Sequence, residues 1–190
     1  MSPFSTAFLA SKPAPISRFG FASIEPLLRK NEAGEVRRFF ETKPCYLSHS
    51  ERDARAAGLS LFPVNKARML YHYGVHQRRD VLNAPYLLEI ANHPNVLSLV
   101  KDYLGCDPVI LALNVWWSFK NKRVAPVAQR FHRDPSAGKV CALFVYLTDA
   151  DEDSGPHIYV SESHEKVHFS EIIDFSKNET WYKIFIIMSQ

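Results

Sequence analysis

Apolar side chains recur at helical spacing in the first part of the chain. A helix is predicted over residues 35–42, with three apolar residues on one side: Val36, Phe39 and Phe40. Pro44 is expected to end it, because proline lacks the amide hydrogen that a helix needs. A shorter helix is predicted over residues 48–57, with Ser48 or Ser50 as its N-terminal cap.

Two further helices have clearer start and stop signals. The first is expected to be capped by Asn83, to carry Pro85 in its first turn and to run through three apolar residues: Leu87, Leu88 and Ile90. The second begins at Pro94 and stops at Gly105, and its apolar residues recur every four positions: Val96, Val100 and Leu104. We expect both helices to pack against the outside of a sheet.

The pattern changes near residue 108, where alternation replaces helical spacing and Val, Ile and Trp become frequent. Residues 59–63 and 69–75 are ambiguous, and the second of these is interpreted as strand or loop. Four strands are predicted, of which the third is the longest apolar one: residues 108–119, 124–132, 140–148 and 157–160. Helices followed by several short strands indicate an α+β fold with a jelly roll.

The length of 190 residues is typical of one domain and is sufficient to bury a core. We therefore predict a single domain over residues 1–190. Residues 1–15 are rich in Ser, Ala and Pro and are expected to form a loosely ordered arm. Residues 16–105 are expected to be mainly helical, and residues 106–190 to form a partial jelly roll.

The composition is ordinary for a globular protein, with 46% apolar and 23% charged residues. The net charge is +3 and no basic stripe is present, so nucleic acid is not expected as a partner. No membrane span and no secretory signal are predicted. The cysteines are far apart and odd in number, which argues against a disulfide framework: Cys45, Cys106 and Cys141. We expect a cytoplasmic protein.

An imidazole and a carboxylate lie two residues apart at His132 and Asp134. On an extended strand both side chains project to the same face, so both can reach one metal ion. One His and one carboxylate are two thirds of the facial triad that binds non-heme Fe(II) and leaves positions open. The alternative interpretation is a surface His followed by a turn, because Asp before Pro135 is a common turn starter.

Further motifs follow this pair. A long apolar strand ends in an acidic turn, a Gly-Pro pair at residues 155–156 precedes a short strand, and a Ser-His turn lies at residues 163–164. Together with His132 and Asp134, these motifs resemble the phytanoyl-CoA dioxygenase family of Fe(II)/2-oxoglutarate oxygenases over residues 110–164. The resemblance implies a cupin-like double-stranded β-helix, Fe(II) as metal and 2-oxoglutarate as cosubstrate. It also implies hydroxylation of a small organic or lipid-like substrate, coupled to decarboxylation of 2-oxoglutarate to succinate.

Three residues are candidates for binding the cosubstrate. Asn114, Trp116 and Ser118 alternate on one face of their predicted strand. The resemblance implies that a polar residue of this strand touches 2-oxoglutarate, which favours Asn114 and, more weakly, Ser118. Tyr146 can reach a carboxylate with its hydroxyl. The structural alternative is that Asn114 satisfies a loop and that Tyr146 is a core aromatic residue.

Two parts of the family pattern are missing from the sequence. The family carries a distal His as third iron ligand and, further along, an Arg that pairs with the far carboxylate of 2-oxoglutarate. No Arg follows Arg133, and none of the later histidines lies where the resemblance places the ligand: His157, His164 and His168. Strands that close the barrel are not predicted either, so we expect an incomplete barrel with an exposed apolar edge.

Three hypotheses follow, in order of preference. The chain is a fragment of a genuine oxygenase, or it is a non-catalytic relative that uses the fold for binding or interaction. In the third hypothesis His164 or His168, with Lys166 or Lys177 for the carboxylate, rebuilds a working site. A cupin-like metal-binding module without oxygen chemistry is a further alternative. The sequence leaves the substrate and the oligomeric state open.

His72 and His76 are spaced so that they would lie on one side of a helix. The neighbouring residues Tyr71, Tyr73 and Gly74 make a helix unfavourable there. We therefore expect both histidines to be structural.

Overall fold

A computed structural model describes residues 16–119, 139–149, 159 and 184–189. The chain divides into two compact units, each formed by two stretches of sequence. The first unit comprises Met1–Pro26 with Ile158–Ile173, and the second comprises Leu27–His157 with Asp174–Gln190.

The described part of the first unit is small. It contains helix α1 (Ile16–Phe19) and a cluster of aromatic rings. The ring centroid of Phe21 lies 6.5 Å from that of Phe19 and 5.5 Å from that of Tyr159. These contacts join the two stretches of sequence within this unit.

The second unit contains six described helices, and all of them lie in its first 78 positions. Two are of ordinary length and the others are one or two turns long. In chain order they are α2 (Lys30–Glu41), α3 (Glu51–Ala56), α4 (Val64–Leu70), α5 (Arg78–Leu82), α6 (Leu87–Ala91) and α7 (Pro94–Leu104).

The described strands of this unit form one six-stranded sheet in the order β2-β1-β3-β4-β6-β5, with every neighbouring pair antiparallel. The strands are β1 (Cys45–Tyr46), β2 (Leu61–Phe62), β3 (Tyr73–His76), β4 (Val109–Ser118), β5 (Val140–Phe144) and β6 (Ile184–Ser189). Three of them come from the part of the chain that also holds the helices, so helices and strands alternate there. The six described strands form an open sheet, and the jelly roll remains a prediction.

Strand β4 lies in the middle of the sheet. Its first part pairs with β6, with a register shift between Ile110 and Ala112, and its last three residues pair with β3. Val115 on β4 belongs to the main apolar cluster, together with Val96, Val100 and Leu104 on α7. Helix α7 therefore packs on the sheet, as the sequence predicts.

Most predicted helices are found where the sequence places them. Helix α2 buries Val36 and Phe40, and helix α3 is capped by Ser50, whose Oγ accepts a hydrogen bond from the backbone nitrogen of Asp53. Helix α7 begins at Pro94 and ends before Gly105, whose φ of 83° is the left-handed conformation that glycine adopts easily.

One predicted cap is wrong. Asn83 does not begin a helix but follows the end of α5, where its Nδ2 donates a hydrogen bond of 2.6 Å to the carbonyl oxygen of Arg79. An Asn side chain has both a donor and an acceptor, so it can satisfy the free carbonyls at a helix end as well as the free amides at a helix start. Helix α6 begins later, after Tyr86 in a left-handed conformation.

The prediction for the strand over residues 140–148 is also partly wrong. Strand β5 covers only Val140–Phe144, and β4, with ten residues, is the longest described strand. The pairing of β5 with β6 ends at Phe144, opposite Phe185.

Over the ranges that the structure describes, no helix is long and apolar enough to cross a membrane.

Candidate functional site

The last half of β4 carries the polar residues of the candidate site. Side chains alternate along a strand, so Asn114, Trp116 and Ser118 lie on one face of the sheet. Cross-strand pairing supports this, because Trp116 is opposite Val75 and Ser118 is opposite Tyr73 on β3. The prediction that these three residues share a face is consistent with this register.

The other face of β4 packs on helices. Leu113, Val115 and Trp117 belong to the main apolar cluster, which also contains Phe40 of α2 and Leu87 of α6. Since this face is used by the core, a ligand that contacts β4 has to approach the face with Asn114.

Strand β5, which leads to the candidate Tyr146, lies two positions from β4 in the sheet, with β6 between them. Asn114 and Phe144 both pair with Phe185, so they lie in the same row of the sheet, two strand spacings or about 10 Å apart. Tyr146 follows Phe144, the last residue of β5, by two residues. Asn114 and Tyr146 are both partly exposed. Strand β6 lies between the strands that lead to these two candidates, so the sheet does not place them side by side.

Ser118 is less accessible than the other two candidates. Its exposed fraction is 3%, and its strand partner Tyr73 is also buried. Burial raises the pKa of the Tyr73 hydroxyl, so this phenol is neutral near pH 7. Ser118 thus has an environment typical of a residue inside the fold.

The two predicted metal ligands, His132 and Asp134, lie outside the described residues, as do the histidines and lysines considered for a rebuilt site. Within the described ranges, no group of three His, Cys, Asp or Glu side chains is placed to hold a metal ion. The described part of the chain therefore holds no three-ligand site of its own.

Strand β6 is not predicted from the sequence, and it occupies an important place. It lies between β4 and β5 and pairs with both along its length. The edge of β4 that faces β6 is therefore covered, whereas the sequence predicts an exposed apolar edge. Residues 184–189 include neither His nor Arg.

Titratable groups near the centre of the sheet are held neutral by burial. Burial raises the pKa of the Cys45 thiol to about 12 and lowers the pKa of His76 to about 4. Burial also raises the pKa of the Cys141 thiol. His76 and His72 are both buried, which fits the structural role expected for them.

Sequence reasoning did not find the partner of His76. Its Nε2 accepts a hydrogen bond of 2.7 Å from Nε1 of Trp117, 41 residues further along the chain. No local pattern connects residues so far apart. The alternation of β4 places Trp117 on the helix-packed face, but the register with β3 is needed to bring the two rings together.

Comparison with known proteins gives one match. A family model described as Phytanoyl-CoA dioxygenase (PhyH) matches residues 16–183, which include every candidate site residue. No curated protein and no solved structure matches the chain.

Proposed function

Because the chain belongs to the phytanoyl-CoA dioxygenase family, we propose that it is an Fe(II)/2-oxoglutarate-dependent oxygenase-like protein whose substrate is a small organic or lipid-like molecule. The family match over residues 16–183 is the observation that carries this proposal. When bound, iron and 2-oxoglutarate supply the oxidising chemistry, and the chain holds and orients the reactants.

His132 and Asp134 are the proposed metal ligands. A neutral imidazole and a carboxylate are donors that suit Fe(II), and their spacing lets both reach one ion from a single extended segment. Two protein ligands leave several coordination positions for the cosubstrate and for water. The donor set thus fits the metal chemically, with one ligand fewer than the facial triad.

Asn114 is the proposed contact to 2-oxoglutarate. It lies on the face of β4 opposite the one that packs on α2, α6 and α7, and it is partly exposed. Its side-chain amide carries both a donor and an acceptor, so it can bind a ligand carboxylate or water. Tyr146, two residues beyond the end of β5, can donate its hydroxyl to a carboxylate, and Ser118 has a weaker claim because it is buried.

Calorimetric titration with Fe(II) under anaerobic conditions tests the metal site. We expect binding that His132→Ala and Asp134→Ala each abolish. His49→Ala is the matched control, since His49 is an exposed imidazole whose Nε2 lies 3.6 Å from the Asp53 carboxylate. Binding that is lost equally in the control, or kept in His132→Ala, would contradict the assignment.

Titration with 2-oxoglutarate in the presence of Fe(II) tests the cosubstrate, and succinate formation tests turnover. We expect Asn114→Ala to weaken 2-oxoglutarate binding by about tenfold, which is the effect of losing one hydrogen bond to a charged group. Succinate formation with any member of a broad substrate panel would establish the oxygenase activity.

The alternative function is that of a non-catalytic relative on the same fold, either a binding protein or an interaction module. A specific observation favours it. The chain has no Arg after Arg133 to pair with the far carboxylate of 2-oxoglutarate, and β6, which begins just beyond the family match, brings none between β4 and β5. Fe(II) binding without 2-oxoglutarate binding and without succinate formation would support this alternative.

A further inference from the structure

A hydrogen-bonded pair of rings, the buried His76 and the partly buried Trp117, lies on the face of the sheet opposite the candidate site. His76 ends β3 and has an exposed fraction of 2%. Its Nε2 accepts the hydrogen bond from Nε1 of Trp117, and its ring centroid lies 4.6 Å from that of Phe40 on α2. The imidazole therefore connects two strands of the sheet with the helix that covers them.

The direction of this hydrogen bond defines the protonation state and the tautomer of the imidazole. The indole nitrogen of tryptophan is only a donor, so Nε2 of His76 must offer a lone pair and the proton must lie on Nδ1. Burial favours the neutral ring, against a smaller opposing effect of the backbone carbonyl of Pro44. A protonated His76 would direct an N–H group at the N–H group of Trp117, and the contact would be lost.

The packing leaves Trp117 little freedom to move. Its ring is stacked on Phe119, with centroids 6.4 Å apart and planes 8° from parallel. Gly74 lies opposite Trp117 in the register, and a Cβ atom there would come within 2.7 Å of Cys45 Sγ and 3.1 Å of the Phe119 ring. A glycine in a central strand is typical of such close approach. Trp117 is therefore held by the Phe119 ring and by the His76 hydrogen bond.

Trp117 lies between two residues of the candidate site face. Trp116 and Ser118 are its neighbours in the chain, and Asn114 is three residues earlier on the same strand. Successive residues of a strand point to opposite faces, so a rotation of β4 about its axis that moves Trp117 also moves these residues. Anchoring Trp117 on the helix side fixes the direction in which the site face is presented.

We propose that His76 is a positioning residue for the candidate site. By accepting the Trp117 hydrogen bond it holds β4 in one orientation, and so it places Asn114 and Ser118 for a ligand that it does not itself touch. This inference rests on the proposed function of the face that carries Asn114.

Three variants separate the hydrogen bond from the volume of the side chain. His76→Leu keeps an apolar side chain but removes the acceptor, and Trp117→Phe keeps a ring but removes the donor. His76→Gln is the conservative variant, because its amide oxygen can take the place of Nε2. Val96→Ala is the control, since it opens the buried core at α7 and leaves the His76–Trp117 pair intact.

The first readout is the affinity for 2-oxoglutarate in the presence of Fe(II), measured at a temperature where every variant is folded. We expect His76→Leu and Trp117→Phe each to weaken binding by about tenfold, and the double variant to be no weaker than either. His76→Gln should restore binding to within about threefold of the natural chain. Val96→Ala should leave the affinity unchanged.

The second readout does not depend on a ligand. The backbone amide resonances of Asn114 and Ser118 should shift in His76→Leu, should return toward their original positions in His76→Gln, and should stay in place in Val96→Ala. If the natural chain does not bind 2-oxoglutarate, the proposed function of the site fails, and these resonances alone decide the role of His76. Unshifted resonances in a folded His76→Leu protein, or equal shifts in Val96→Ala, would overturn the inference.

Discussion

The two faces of β4 are built from the same ten residues and differ in what covers them. On one face Leu113, Val115 and Trp117 pack into the main apolar cluster under α2, α6 and α7. On the other face Asn114, Trp116 and Ser118 have much less apolar cover, mainly a small cluster around Trp116 that includes Val75 and Ala54 of α3. After the register shift between Ile110 and Ala112, β4 thus serves the core with its odd-numbered residues and the candidate site with its even-numbered ones.

Because of this difference, substitutions on one face of β4 should mainly change stability, and substitutions on the other face should mainly change ligand binding. Substitutions on the helix-packed face remove apolar contacts and lower the free energy of unfolding. Substitutions on the other face change the groups presented to a ligand and leave most apolar contacts intact. His76 is the exception, because it lies on the packed face and is proposed to act on the other.

The largest effect is expected for Phe40→Ala. Phe40 is fully buried on α2 against the packed face, so its truncation should lower the free energy of unfolding by about 3–5 kcal/mol. Phe39→Ala is the control, because Phe39 is only partly buried beside it, and its effect should be clearly smaller. Urea denaturation measures both, and equal losses would mean that the packed face does not carry the stability.

A pH-dependent loss of stability is expected from His76. Its pKa of about 4 in the folded chain lies below the ordinary value of 6.5, so the unfolded chain binds more protons between these values. The contribution of His76 is therefore complete above pH 6.5 and is lost as the pH falls toward 4, by up to about 3 kcal/mol.

Urea denaturation at a series of pH values measures the slope of the free energy of unfolding against pH. His76→Leu should remove most of it. Cys45 lies opposite His76 in the register with β1, and its thiol stays neutral over this range because burial raises its pKa. A slope of the same size in the variant would assign the effect to other groups.

Gly74→Ala should have an intermediate effect. It should lower the free energy of unfolding by about 1–3 kcal/mol, because the added methyl group would overlap Cys45 Sγ. Cys45→Ala combined with Gly74→Ala should be less destabilised than the sum of the two single variants, since the sulfur atom is no longer there. Thermal denaturation of the three variants gives the comparison. Strict additivity would show that the close approach to Cys45 is not the cause.

The smallest effect on stability is expected for Asn114→Ala. Asn114 is partly exposed on the less covered face, so the free energy of unfolding should change by less than about 0.5 kcal/mol. The same variant is expected to weaken 2-oxoglutarate binding. A large loss of stability without a change in binding would reverse the assignment of the two faces.

Several elements could be predicted because their signals are local. Helix α7 has proline at its start, glycine at its end and apolar residues every four positions, and α3 has a serine cap. Strand β4 is predicted by ten residues of alternation. The family resemblance rests on motifs that likewise lie close together in the chain, and the family match confirms it.

Other elements could not be predicted because their stability comes from distant partners. Strands β1 and β2 have two residues each, too few to show a period, and they are strands because each pairs with a neighbour in the sheet. Helix α4 has no side-chain cap, so no capping residue in the sequence indicates where it begins. Strand β6 depends on the ladders of β4 and β5, which are 40 or more residues away in the chain.

The sequence by itself determined the family, the main helices, the long central strand and the residue types of the candidate site, because these depend on spacing and chemistry within short segments. Only the tertiary structure decided which face of β4 is buried, that Asn114 and Phe144 share a row, and that His76 accepts a hydrogen bond from Trp117. These features depend on strand register. A slip of one residue would turn every side chain of a strand to the other face, so register is settled when the apolar faces of segments far apart in the chain are buried together.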